Sequence, residues 1–264
     1  MAHLISEQRI VPTWVAAIRL LHKQGPQLRN IVLEMESPTL ITDEDRTVLD
    51  SVDSAVRTHA DVSVKTVAAT IFPQALYRRY GRPGVYKELL DALDKGKAKG
   101  TWGTYAQRMM QRKGREQKTV NPLDQIVTKL ERAATTGKPY QAVYEMGVYE
   151  PAEDLDEGSE PFCELPLYNV ARDGAMVSNM PCLSHLSFKK SGSNVDLTAV
   201  YRSHYYCERA LGNLVGLSQL LNFVAKESKH AVGTLTCVST HAVLDIKAWG
   251  NQRGLQCVLE TFPA

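Results

Sequence analysis

The clearest pattern of hydrophobic and polar positions lies in the C-terminal part of the chain. In the segment LTAVYRS, apolar and polar residues alternate through Leu197, Ala199 and Tyr201, which predicts a half-buried strand. Residues 208–227 instead carry apolar side chains at helical spacing, which predicts a long central helix. These side chains are Leu211, Leu214, Val215, Leu217, Leu221 and Val224. Asn213 falls within this apolar surface, where an amide needs a hydrogen-bonding partner.

Further elements follow from periodicity and from helix start and stop signals. Predicted helices cover residues 13–23, 42–59, 64–79 with a break at Pro73, a stretch that begins at Pro83, and 121–137. Predicted strands cover residues 29–35, 141–149, 183–189, 234–243 and 255–262. An acidic loop is predicted at 150–161, and a hairpin around Asp173-Gly174. Helices come first and strands later, which favours one α+β domain over residues 1–264, with a mixed or antiparallel sheet around the central helix.

Composition limits the function classes. The chain has 264 residues, is 44% hydrophobic and 23% charged, and carries a formal net charge of +2, which is ordinary for a globular protein. We therefore expect neither nucleic-acid binding nor membrane binding, since no apolar run approaches the ~20 residues of a membrane span. The five cysteines form no CxxC pair, and no signal peptide is visible, so we expect a cytoplasmic protein with free thiols and no metal site.

Four positions in or before the predicted central helix carry candidate chemistry. Cys182 follows Pro181 and is the candidate nucleophile, because an arginine nearby would raise its thiolate fraction; Arg202, one strand away, is the expected source of that charge. Arg202 and Ser203 together suit a phosphate, and Asn213 suits the O4 and N3–H edge of uracil. The structural alternatives are a small buried thiol, a surface arginine, and an amide that bonds the backbone near two glycines.

The ordered set of these residues resembles the thymidylate synthase superfamily, which includes the pyrimidine hydroxymethylases. That family carries Pro-Cys, Arg-Ser and a helical Asn at the spacing of Pro181-Cys182, Arg202-Ser203 and Asn213. The segment CVSTHAVLD is similar to the family's Asp-x-His-x-Tyr strand and places His241 on its His. The segment TWGTYAQR looks like the family's Tyr-Gly segment, with Trp102 as the substrate contact. The similarity is good over residues 180–245 and faint before them.

The resemblance implies a fold and an activity. The fold would be a thymidylate synthase-like mixed sheet with a long buried helix and a helical N-terminal half, assembled as a homodimer. Cys182 would add to C6 of a pyrimidine nucleoside monophosphate, so that C5 attacks a one-carbon unit on 5,10-methylenetetrahydrofolate. Arg202 and Ser203 would bind the phosphate, Asn213 the base and His241 the ribose.

The sequence also departs from the family at positions that matter for the chemistry. Residues 67–72 lack the proton-relaying Glu, and Tyr205 stands where the folate-binding Asp is expected. Val243 replaces a Tyr, Leu183 replaces a His, and only Lys138 remains near the expected arginine pair. Two hypotheses stay open: an enzyme that transfers a methyl or hydroxymethyl group to C5, favouring a dUMP-type substrate, and a catalytically degenerate nucleotide-binding homodimer with a regulatory or scaffold role.

Overall fold

The computed structural model describes residues 1–96, 104–113, 118–136, 145–147 and 181–261. The helices are α1 (Ile10–Gln24), α2 (Asp43–Ala60), α3 (Val64–Ile71), α4 (Gln74–Gly96), α5 (Tyr105–Met110), α6 (Pro122–Thr136), α7 (Leu211–Glu227) and α8 (Gln252–Glu260). The strands are β1 (His3–Glu7), β2 (Gln27–Met35), β3 (Arg112–Lys113), β4 (Thr119–Val120), β5 (Glu145–Gly147), β6 (Leu183–Ser191), β7 (Asn194–Tyr201), β8 (His204–Tyr205) and β9 (Ala231–Val243). A π-helical turn, Tyr206–Ala210, leads into α7, and a 3-10 helix, Ile246–Trp249, precedes α8.

The main sheet is mixed, as predicted. Within the described residues it has seven strands in the order β1-β2-β9-β7-β6-β5, with β8 paired to β9. β1 pairs with β2, and β7 with β9, in parallel, while the β2–β9, β6–β7 and β5–β6 pairs are antiparallel. The remaining strands, β3 and β4, form a separate two-stranded ribbon. Helices and this single large sheet make an α+β fold, which confirms the predicted class.

The two faces of the sheet have different environments. Side chains on the inner face are fully buried in the core; the register places Leu197 beside Leu235 and Ala199 beside Cys237. Side chains on the outer face are only partly buried within this chain. Val32, Val238 and Val200 lie side by side there, across the three adjacent strands β2, β9 and β7.

The predicted central helix is confirmed and is the most enclosed helix of the fold. Twelve residues of α7 are buried, including Asn213 and both glycines of the helix, Gly212 and Gly216. α3 lies so close to α7 that a Cβ at Gly212 would be 2.7 Å from the Val67 Cβ, and one at Gly216 would be 2.7 Å from a backbone oxygen of α3. These glycines therefore allow two helix backbones to approach more closely than any side chain would permit.

Helix boundaries in the N-terminal half follow local signals that the sequence shows. Thr42 and Asp45 form a capping box at the start of α2, since the Thr42 hydroxyl accepts from the Asp45 N–H and the Asp45 carboxylate accepts from the Thr42 N–H. Pro73 separates α3 from α4, and α4 itself kinks at Gly81 and Arg82, so a second helical stretch begins at Pro83 as predicted. Strand β1 was not predicted from the sequence, because its five residues show no clear alternation.

One predicted element is wrong: the strand predicted at 255–262 is not present over its described part, 255–261. Residues of this segment belong to α8, and the buried side chains Leu255 and Val258 are three positions apart, which is helical spacing. The Asn251 side chain accepts from the N–H groups of Arg253 and Gly254 and so caps the helix. The predicted strand at 141–149 is present at Glu145–Gly147, while the rest of it, the 150–161 loop and the Asp173-Gly174 hairpin lie outside the described residues.

The contact between α3 and α7 gives a first prediction. Gly216→Ala should destabilise the protein by about 1–3 kcal/mol, because the new methyl group meets backbone that cannot move aside. Alanine has the higher helix propensity, so the intrinsic effect of the substitution has the opposite sign, about 1 kcal/mol of stabilisation. Chemical denaturation measures the difference, with Gln219→Ala on the same helix as the control. An unchanged or increased free energy of unfolding for Gly216→Ala would contradict the close packing.

Candidate functional site

The chain brings the candidate nucleophile and the candidate phosphate-binding arginine together through the sheet. Cys182 immediately precedes β6, Arg202 immediately follows β7, and these strands are antiparallel neighbours. The Arg202 backbone N–H donates to the Cys182 carbonyl at 2.9 Å. Two residues that are twenty positions apart in sequence are therefore fixed next to each other by the strand pairing, and Ser203 follows in the turn before β8.

A tyrosine that the sequence analysis did not single out anchors the backbone at Cys182. The Tyr105 hydroxyl oxygen accepts from the Cys182 N–H at 3.0 Å and from the Leu183 N–H at 3.3 Å. Tyr105 begins α5, which Thr104 caps through its side chain, and burial is the main cause that raises the pKa of the phenol. Trp102, the substrate contact expected from the same segment, lies outside the described residues. The signal for Tyr105 was present in TWGTYAQR, three positions after that tryptophan.

The thiol of Cys182 is affected by a positive charge that the sequence did not indicate. Burial raises the pKa of Cys182 above its ordinary value, and the nearby positive charge of Arg209 partly offsets this rise. Arg209 lies in the π-helical turn. Arg202, the source of charge expected from the sequence, is joined to Cys182 by the backbone hydrogen bond described above.

The Arg202 side chain lies in a positively charged environment. Burial lowers the pKa of its guanidinium, the neighbouring Tyr105 raises it, and repulsion from Arg108 lowers it further. Arg108 belongs to α5, the helix that Tyr105 begins. Two guanidinium groups in one neighbourhood are suited to bind a phosphate or carboxylate, because each presents several N–H donors and a positive charge.

Asn213 occupies the innermost part of the site and belongs to a buried hydrogen-bonded chain. Its Nδ2–H donates to Nε2 of His204 at 3.1 Å, and Nδ1 of His204 lies 2.9 Å from the Ser239 hydroxyl. The Ser239 hydroxyl is in turn 3.1 Å from the hydroxyl of Tyr206. We call these four residues the Asn213 chain. The asparagine keeps 6% of its surface exposed, whereas the other three are almost completely enclosed.

His204 is the second site residue that sequence reasoning missed. Its ring stacks on that of Tyr201 with centroids 4.1 Å apart and an angle of 4° between the planes. Burial lowers the pKa of His204 from the ordinary 6.5 to about 3, so the imidazole is neutral at physiological pH. His204 directly follows Ser203 in the sequence, but no local sequence signal indicates that its ring is buried in contact with Asn213.

His241, the expected ribose contact, lies on β9 opposite Arg29 of β2 and is partly exposed. Its Nε2 is 3.4 Å from Oε1 of Gln27, near the start of β2. This imidazole thus lies near the end of the β2–β9 pair, and His241 is not part of the Asn213 chain.

The departures from the resembled family are visible in the structure as well. α3 presents Val67, Ala68 and Ile71 to the core, so this helix provides no buried carboxylate beside Asn213. Tyr205 is 44% exposed at the position where the resemblance expects a folate-binding carboxylate. Across the described ranges, no group of three or more His, Cys, Asp or Glu side chains is arranged to hold a metal ion. Among the helices in these ranges, none has the length and apolar character needed to cross a bilayer.

Comparisons with known proteins show similarity of sequence over part of the chain. No protein-family model matches the chain. The putative thymidylate synthase of Methanococcoides burtonii is 37% identical over 73 residues, which is 28% of this chain and 34% of that protein. The putative thymidylate synthase of Methanosarcina barkeri is 34% identical over 73 residues, with the same coverage. The matched segments therefore span about a third of the length of these relatives.

Similarity of fold extends over nearly the whole chain. The structure of thermostable thymidylate synthase A from Bacillus subtilis superposes with a TM-score of 0.53 at 11% sequence identity, covering 96% of this chain and 84% of that one. An identity this low shows the fold, while the matched segment adds similarity of sequence over a quarter of the chain. The chain is therefore similar to thymidylate synthases in fold over nearly its whole length, and in sequence over about a quarter of it.

Proposed function

We propose that the protein is an enzyme that transfers a one-carbon unit, methyl or hydroxymethyl, to C5 of a dUMP-type pyrimidine nucleotide through Cys182. The observation that supports the proposal is that hydrogen bonds and short chain segments link the three candidate residues. The Cys182 carbonyl accepts from Arg202, and two residues later His204 bonds Asn213. A thiol, a guanidinium and a primary amide are the groups needed to attack a pyrimidine ring, bind a phosphate and recognise a base edge.

The proposed chemistry begins with the thiolate of Cys182. Its sulfur forms a bond to C6 of the ring, and the electron pair of the C5–C6 double bond moves onto C5 and O4. C5 is then nucleophilic and attacks a one-carbon electrophile at the oxidation level of formaldehyde. It loses its hydrogen as a proton, and departure of the thiolate restores the double bond with a hydroxymethyl group on C5. A methyl product requires in addition a two-electron reductant, a hydride donated by the one-carbon carrier. Tyr105 holds the Cys182 backbone in place during these steps, and Arg209 stabilises the thiolate against the cost of burial.

The remaining substrate contacts are assigned by charge and by resemblance. Arg202 and Ser203 are proposed to bind the 5′-phosphate, with support from the second positive charge of Arg108 close by. Asn213 is proposed to bind the uracil edge. His241 and Trp102 are proposed as further substrate contacts on the resemblance alone.

The one-carbon donor is not assigned by the residues that bind the nucleotide. The resemblance implies 5,10-methylenetetrahydrofolate, but the residues present do not fit it fully, because the exposed phenol of Tyr205 stands where a carboxylate is expected. We derive no step through a folate for this reason. The same observation, with the raised pKa of Cys182, favours the second candidate: a nucleotide-binding homodimer that regulates or scaffolds without catalysis.

We propose a homodimer formed by the outer face of the sheet. Val32, Val238 and Val200 form an apolar row on that face and are only partly covered within one chain. A second copy packed on this face would remove the row from water, which is the main driving force for association of two sheets. The free thiols of the described cysteines are compatible with the cytoplasmic location that we propose.

Hydrogen exchange at C5 tests the proposed chemistry. Addition of Cys182 to C6 makes the C5 hydrogen labile, so the protein should release tritium from [5-³H]dUMP, and Cys182→Ser should abolish the release. Deoxyuridine, which lacks the phosphate, should need at least about tenfold higher concentration, since a charge-assisted contact contributes roughly 1.5–3 kcal/mol. Running the assay with and without methylenetetrahydrofolate shows whether that donor is used. Binding of dUMP without any release would instead support the regulatory or scaffold alternative.

Alkylation of Cys182 tests the source of its activation. Arg209→Gln should move the pH profile of iodoacetamide labelling to higher pH, because the thiol loses the positive charge that favours its anion. Arg202→Gln is the matched control and should shift the profile less, since Arg209 is the positive charge that offsets the effect of burial on this thiol. The exposed Cys257 reports general reactivity in each sample by mass spectrometry. A larger shift for Arg202→Gln would show that Arg209 is not the activating residue.

Sedimentation velocity tests the proposed dimer. Val238→Lys should convert the dimer to a monomer at micromolar concentration, because it buries a charge at the centre of the apolar row. Ser54→Lys adds the same charge to the exposed surface of α2 and should leave the dimer intact. A wild-type protein that sediments as a monomer would contradict the proposed assembly.

A further inference from the structure

The hydrogen bonds of the Asn213 chain can run in one of two directions from donor to acceptor. The direction decides whether Asn213 offers an acceptor or a donor to a ligand. An amide nitrogen carries only donors, so the contact from Nδ2 of Asn213 requires Nε2 of His204 to be the acceptor. The imidazole proton must then be on Nδ1, where it donates to the Ser239 hydroxyl oxygen. The reverse direction would need the proton on Nε2, an acceptor contact from Oδ1 of Asn213, and a Ser239 hydroxyl that donates to Nδ1.

The two directions present opposite groups to the open side of the site. With Nδ2 hydrogen-bonded to His204, the group of the Asn213 amide that is left for a ligand is its oxygen, and 6% of the residue remains exposed. An acceptor in that place pairs with the N3–H of uracil. Cytosine has an unprotonated N3, so the same oxygen would face another acceptor and repel it.

We propose that His204 is a positioning residue that sets the preference for uracil over cytosine, by holding the Asn213 amide in one orientation through the Nδ1–H tautomer. The proposal rests on the proposed function, because it requires a pyrimidine ring in this corner of the fold. His204 touches no substrate in it; the residue acts through Asn213.

The surroundings of His204 are suited to holding one orientation. The ring is 1% exposed, stacks on Tyr201, and has both nitrogens engaged in hydrogen bonds. Reversing the amide alone would place its oxygen against Nε2 of His204, so that two acceptors face each other. Relief would require the tautomer and the Ser239 hydroxyl to change together. The apolar environment also keeps the ring neutral, and so avoids an imidazolium that would place an N–H at both nitrogens.

The test combines a spectrum with a base preference. Nitrogen-15 NMR of histidine-labelled protein should show His204 as the Nδ1–H tautomer, with Nε2 unprotonated. The ratio of dUMP to dCMP affinity, measured by calorimetry, should favour dUMP. In Ser239→Ala the Nδ1–H loses its acceptor, so the tautomers should mix and the ratio should fall about tenfold, which corresponds to ~1.4 kcal/mol.

A second variant and a matched control keep the test independent of folding. In His204→Gln the new amide can donate or accept, so the base preference should fall as in Ser239→Ala. His230 bonds the Ser228 hydroxyl at 3.0 Å just before β9, and His230→Gln should leave the ratio unchanged. Thermal melts identify any variant that fails to fold, and Ser239→Ala removes only one oxygen atom.

Each outcome has a distinct meaning. An Nε2–H tautomer in the wild-type protein, or an unchanged base ratio in folded Ser239→Ala and His204→Gln, overturns the role of His204. Failure of the wild-type protein to bind either nucleotide overturns the proposed function and with it the assignment of base preference. The tautomer spectrum still shows, in that case, whether the Asn213 amide is held as inferred.

Discussion

The structure depends on the burial of one helix, α7, between the inner face of the mixed sheet and α3. Burial on both sides requires α7 and α3 to approach closely. Gly212 and Gly216 permit this because they have no side chain that would separate the two helix backbones. A helix held this firmly is a rigid support for a polar group. Asn213 lies between these glycines, so its position is set by packing that involves most of the core.

The candidate site is built where this helix meets the ends of strands. Cys182 and Arg202 are adjacent because β6 and β7 are paired, and Tyr105 reaches both backbone N–H groups at the start of β6 from a distant helix. The Asn213 amide and the His204 ring are buried and hydrogen-bonded here, and an unpaired buried polar group would cost about 1–3 kcal/mol. The same network that satisfies this requirement also orients the Asn213 amide. Structural and functional demands on His204 are therefore met by one set of hydrogen bonds.

Much of the fold was predictable from the sequence, because local periodicity and capping determine most elements. The central helix, β7, the capping box at Thr42 and the break at Pro73 all follow from nearby residues. The segment after Asn251 is a helix where the sequence predicts a strand, because its short apolar pattern fits both the strand period and the helical period. The side-chain cap of Asn251 favours the helix. The contacts within the candidate site were harder to predict from the sequence. Tyr105 and Cys182 are 77 positions apart, and the charge of Arg209 reaches the thiol from the π-helical turn, so these relations arise only from tertiary packing.

The central claim is that Cys182, Arg202 and Asn213 form one pyrimidine nucleotide site. A crystal structure of the protein soaked with dUMP tests it most directly. The account predicts a nucleotide with its phosphate against Arg202, its ring N3–H on the amide oxygen of Asn213, and C6 within bonding reach of the Cys182 sulfur. Well-ordered crystals that show no nucleotide in this corner at millimolar dUMP, or a nucleotide bound elsewhere on the protein, would contradict it.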